Sequence, residues 1–99
     1  NNIKGNHVSR QLVNSHILMT EGIDEAELLA VPSENGLRLI AFVAGDDVPA
    51  TRTMIRKLHE KLEIWEIPHR FIRVKSIPKR STGKTDKDAL LKILEESKE

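Results

Sequence analysis

Lys84 stands in the run Ile77-Pro78-Lys79-Arg80-Ser81-Thr82-Gly83-Lys84-Thr85-Asp86, just before an amphipathic stretch ending at Leu94. A lysine ammonium is a compact charge with three donors on a flexible four-carbon stem. Beside a glycine that loosens the backbone, such a group can be carried into a partner surface and withdrawn again. The spacing therefore predicts a delivered cation at Lys84, with Ser81, Thr82 and Gly83 as its supporting loop. Gly83-Lys84-Thr85 echoes the end of a phosphate-binding loop. That motif requires a glycine five residues before the Gly-Lys pair, where Pro78 stands, and no strand runs directly into the loop. The four histidines, His7, His16, His59 and His69, lack ligand spacing, so no metal site is expected.

Charge around the loop is uneven. Arg70, Arg73, Lys75, Lys79, Arg80, Lys84, Lys87 and Lys92 face only Asp86 and Asp88 in the same segment, although the chain's net charge is +1. A basic segment favours an anionic partner such as a nucleotide, a coenzyme or nucleic acid. Against nucleic acid, Trp65, Phe42 and Phe71 are too few for a base-stacking platform and read as core. No cysteine is present, which excludes disulfides and thiolate chemistry and suits a reducing, cytoplasmic setting. No apolar run approaches the roughly 20 residues of a membrane span. The 99 residues make one small domain with one hydrophobic core. They start without Met, so the chain is expected to be a piece of a longer polypeptide.

Regular elements must hold this loop in place. Residues 3–8 read as a short N-terminal hairpin turning at Gly5-Asn6. Ser9 is an N-cap for a helix to about residue 20, with Leu12, Val13, His16 and Ile17 on one stripe and Gly22 closing it. Residues 24–31 form a strand, Asn35-Gly36 a hairpin turn, and residues 37–44 the returning strand, with Leu37, Leu39, Ala41 and Val43 alternating against Arg38, Ile40 and Phe42. Pro49 fits the first turn of a second helix that buries Met54, Ile55, Leu58 and Leu62. A third strand covers residues 70–74. Thr85 with Asp88 reads as a capping box opening a last helix that buries Leu90, Leu91, Ile93 and Leu94. The expected fold is α+β: a small three-stranded, mostly antiparallel sheet packed with about three helices.

On these residues the chain resembles the C-terminal domain of the adenylate-forming, AMP-binding enzyme superfamily. That superfamily holds the acyl-CoA synthetases, luciferases and nonribosomal-peptide adenylation domains. The resemblance rests on Ile67-Pro68-His69-Arg70-Phe71-Ile72-Arg73-Val74, Ile77-Pro78, Thr82-Gly83-Lys84-Thr85-Asp86 and Leu90. Gly5-Asn6-His7-Val8 and Gly22-Ile23-Asp24-Glu25-Ala26 follow the same order. Leu12-Val13-Asn14 departs from the family's glutamate-isoleucine-glutamate triplet.

The resemblance implies a two-step AMP-forming ligation. A carboxylic acid attacks the α-phosphorus of ATP, and a thiol on CoA or phosphopantetheine then displaces AMP. Lys84 would be the catalytic lysine of the first step, and Gly5, Asn6 and His7 would line the thiol tunnel in the second. The partners implied are a large N-terminal domain of the same polypeptide, which binds ATP and Mg²⁺, together with the acid and CoA or a carrier protein. Two other readings stay open: a basic nucleic-acid-binding module, and a degenerate carrier-binding or regulatory domain.

Overall fold

The computed structural model describes residues 2, 3 and 6–97. In chain order the elements are β1 (Asn2–Ile3), β2 (Asn6–His7), α1 (Arg10–Leu18), β3 (Glu25–Ser33), β4 (Gly36–Ala44), α2 (Thr51–His59), β5 (Arg70–Arg73) and α3 (Lys87–Glu96), with a 3-10 turn at Ile64–Glu66. β1 and β2 pair antiparallel, Asn2 with His7 and Ile3 with Asn6. Lys4 and Gly5, between them, lie outside the described residues. Among the described residues, no helix is long and apolar enough to cross a membrane.

β3 and β4 form the antiparallel hairpin, paired from Glu25↔Ala44 to Ser33↔Gly36, so Glu34 and Asn35 make the turn and Gly36 is already paired. β5 joins the other edge of β4 in parallel, from Ile40↔Arg70 to Val43↔Arg73. The sheet, ordered β3-β4-β5, is therefore mixed: nine antiparallel residue pairs against four parallel ones. Parallel pairing follows from α2, which crosses back over the sheet and returns the chain in the direction of β4.

The alternation in β4 reflects burial on both faces. Leu39, Ala41 and Val43 meet Val13, Ile17, Met54, Leu58 and Leu62 on one side, with Phe71 and Trp65 packed alongside. Ile40 and Phe42 meet Leu29, Ile72, Ile77 and Leu90 on the other. One small domain thus carries two half-cores divided by its sheet. Burying both sides of a central strand is how so short a chain hides enough apolar surface to fold.

Three local expectations change. In α1 the Ser9 cap forms, its Oγ accepting from the Leu12 amide at 3.2 Å, but Leu12 is 47% exposed. The face against the sheet is centred on Val13, Ile17 and Asn14, whose Nδ2 donates to the Ala26 carbonyl at 3.1 Å. At about 100° per residue this turns Leu12 away from the sheet. Pro49 precedes the Ala50 N-cap of α2 rather than occupying its first turn, and Leu62 is buried beyond the end of that helix.

In α3 the cap is Asp86, whose Oδ1 accepts from the Ala89 amide at 3.1 Å, because the Thr85 hydroxyl is engaged elsewhere. Leu90 is fully buried, whereas Leu91 is 45% exposed. Asp86→Ala is expected to lower the chain's stability by about 1 kcal/mol, as loss of an N-cap carboxylate does. Urea unfolding at neutral pH measures it.

Candidate functional site

The loop before α3 is a hairpin built from its own backbone. Lys79 bridges Thr85 in antiparallel fashion. The Asp86 amide donates to the Pro78 carbonyl at 2.9 Å, the Arg80 amide to the Lys84 carbonyl at 2.7 Å, and the Gly83 amide to the Arg80 carbonyl at 2.9 Å. Arg80-Ser81-Thr82-Gly83 is thus a closed turn, ended by a residue in the left-handed region, Gly83 at φ +92°. A Cβ built there would meet nothing within 4 Å, so glycine serves backbone conformation here and not space.

Lys84 follows directly. Its carbonyl is held by Arg80 while its side chain is exposed and, among the described residues, has neither a hydrogen-bond nor an ion-pair partner. It is not locked in a core, nor tied to a carboxylate of the described residues. Ser81 and Thr82 are exposed on the same turn. Arg80 approaches Asp88 at 3.8 Å, but both side chains are largely in solvent, where such a pair contributes little.

The hairpin is rooted at both ends. Ile77 is buried on the α3 side of the sheet, and its amide donates to Glu25 Oε1 at 3.0 Å. Thr85 Oγ1 donates to Glu27 Oε1 at 2.8 Å. Glu25 and Glu27 lie two apart on β3, so both carboxylates face the side that carries Leu29 and Val31. Sequence reasoning marks neither acid as an anchor of the loop. The signal for them is the odd-numbered alternation of β3, in which two acids precede two apolar residues on one face.

The other expected residues fall elsewhere. Gly5 lies outside the described residues, Asn6 pairs through its backbone with Ile3, and His7 is exposed and pairs with Asn2. β2 leads into α1 on one face of the sheet, whereas the lysine hairpin leads into α3 on the opposite face. The basic segment is not one free surface. An Arg70 guanidinium nitrogen donates to the carbonyl and Oγ of Ser97 at 2.9 and 3.1 Å, closing the C-terminal end of α3. Arg73 donates to the Pro49 carbonyl at 2.8 Å. Among the described residues, no three His, Asp or Glu side chains are grouped as metal ligands.

No protein-family model matches the chain. One of the subunits of the mycosubtilin synthase of Bacillus subtilis is 31% identical over 88 residues, covering 89% of this chain and 3% of that protein. The 3-hydroxybenzoate–CoA/4-hydroxybenzoate–CoA ligase of Thauera aromatica is 30% identical over 99 residues, covering 94% of this chain and 19% of the ligase. Among solved structures, the ATP-bound RpMatB-BxBclM chimera B3 shares the fold with a TM-score of 0.85 at 23% identity, over 95% of this chain and 19% of that one. The chain thus spans a small part of the relatives it matches, and does so with nearly its whole length. By sequence and by fold it belongs to the adenylate-forming, AMP-binding superfamily as a C-terminal adenylation-type domain.

Proposed function

We propose that this chain is the closing domain of an AMP-forming acid–thiol ligase and that Lys84 is its catalytic lysine. The observation that carries the reading is the placement of that ammonium: exposed and, among the described residues, unpartnered on a hairpin whose backbone is fixed by cross-strand hydrogen bonds. When a carboxylate attacks the α-phosphorus of ATP, negative charge gathers on the carboxylate, the bridging oxygen and the phosphate. A cation aimed there from a site closed to water lowers the barrier electrostatically. Gly83 closes the turn so that Lys84 follows directly on the outgoing leg, with Ser81 and Thr82 at the tip beside it.

The second step falls to the β1–β2 segment, with Gly5, Asn6 and His7 lining the path of a thiol on CoA or phosphopantetheine. The two elements sit at the entrances of helices on opposite faces of the sheet, which suits a domain that turns between steps to present each in its turn. ATP and the acid belong to a nucleotide-binding region outside these 99 residues. Among the described residues no three His, Asp or Glu side chains are grouped as ligands, and Mg²⁺ would be held with ATP by the nucleotide-binding region. Residues that the nucleic-acid reading would need, Arg70 and Arg73, are engaged within the fold.

The test is acid-dependent exchange of labelled pyrophosphate into ATP. The isolated chain is expected to show none. The polypeptide joining it to its nucleotide-binding region is expected to show exchange that depends on Lys84. Exchange by the isolated chain, or exchange indifferent to Lys84, contradicts the proposal.

A further inference from the structure

We infer that Glu27 and Thr85 are a positioning pair that sets where the Lys84 ammonium points; this rests on the adenylation role proposed for Lys84. The hairpin's backbone bonds make it rigid within itself, yet they do not fix it to the domain. That is done by its two roots. Ile77 donates its amide to Glu25 Oε1 at 3.0 Å, and Thr85, the residue next to Lys84, donates its hydroxyl to Glu27 Oε1 at 2.8 Å. The two acceptors are alternate residues of edge strand β3, about 6–7 Å apart along it, matching two legs of one hairpin. An ionised carboxylate only accepts, so it suits a backbone N–H on one leg and a hydroxyl on the other.

Glu27 also holds the one leg that carries the reacting group. The Asp86 cap then continues that leg into α3, leaving Lys84 beside two side-chain anchors, Thr85–Glu27 and Asp86–Ala89. Releasing the first lets the tip swing while the helix stays formed. A misplacement of about 1 Å can cost about 10²-fold in a step that depends on orientation, and partial loosening costs less.

Two measurements test this. In the 99-residue chain, Glu27→Ala is expected to speed amide hydrogen exchange about tenfold at Ile77, whose amide bonds from the hairpin to Glu25, with Phe42 in the core unchanged. In the polypeptide that includes the nucleotide-binding region, Glu27→Ala and Thr85→Val are each expected to slow adenylation about tenfold and leave thiol transfer from preformed adenylate intact. The double variant should be no slower than either single one, as for two residues acting through one contact. Glu27→Gln should restore most of the rate, because its amide oxygen accepts the same hydroxyl; a role for the carboxylate's charge would give no such rescue.

Unchanged exchange at Ile77, additive losses, or equal losses in both half-reactions overturn the inference. Lys84→Ala, run alongside, separates the two levels. If it abolishes adenylation while Glu27→Ala does nothing, the positioning pair falls and the function stands. If Lys84→Ala is itself silent, the function falls and hydrogen exchange still judges the anchor.

Discussion

Replacing Lys84 by alanine is expected to slow acyl-adenylate formation by about 10²–10³-fold, equivalent to about 3–4 kcal/mol, the loss that follows removal of one preorganised electrostatic donor. The change should leave folding untouched. Lys84 is exposed, makes no side-chain contact with a hydrogen-bonding or charged partner among the described residues, and lends only its carbonyl to the hairpin. Surface substitutions of that kind stay within about 0.5 kcal/mol of the parent. Thermal unfolding run beside the rate assay therefore separates loss of chemistry from loss of structure. Lys84→Arg should recover little, because a planar guanidinium fork on a longer side chain does not occupy the place of a compact ammonium.

Phe42→Ala is the other large effect, and it falls on stability. Phe42 is fully buried at the centre of the α3-side core, in the cluster that also holds Ile77 at the root of the hairpin and Leu90 of α3. Emptying such a site costs about 3–5 kcal/mol through lost burial and the cavity left behind. Each 1 kcal/mol lowers Tm by about 4–8 °C in a domain of this size, so a fall of at least about 12 °C is expected. Calorimetry of the 99-residue chain checks it. The consequence for function is indirect: the surface that seats the lysine hairpin is the same one that Phe42 supports.

Much of the fold could be read from residue types. Ser9 before an apolar helical stripe gave α1 its start, and Asn35-Gly36 marked the turn between the long strands to within one residue, since Glu34 and Asn35 make it. The paired apolar sets of β4 were visible as Leu39, Ala41 and Val43 against Ile40 and Phe42. What periodicity could not say is that both sets are buried, since only the third layer, α3, makes the second face a core. The direction of β5 was equally hidden. Whether a strand returns parallel depends on how the intervening helix crosses the sheet, and no local residue encodes that.

As a candidate, Lys84 was legible for a specific reason: a lysine after a glycine, just before a cap, is a local pattern. Its anchors were not. Thr85 looked like the N-cap of α3 because threonine with an acid three residues later satisfies that pattern. In the fold its hydroxyl reaches instead to Glu27, which is 58 residues away in sequence, and Asp86 takes the cap. A hydrogen bond at that separation depends on the face Glu27 takes in β3, so it becomes visible only once the sheet's register is known.

The most direct measurement is the pair of half-reaction rates for Lys84→Ala, taken in single turnover in the complete polypeptide. One arm forms adenylate from acid and ATP, and the other begins with chemically prepared adenylate and thiol. The expected result is a loss of about 10²–10³-fold in the first arm, with the second within a few-fold of the parent. Equal loss in both arms, or an undiminished first arm, would contradict the role given to Lys84.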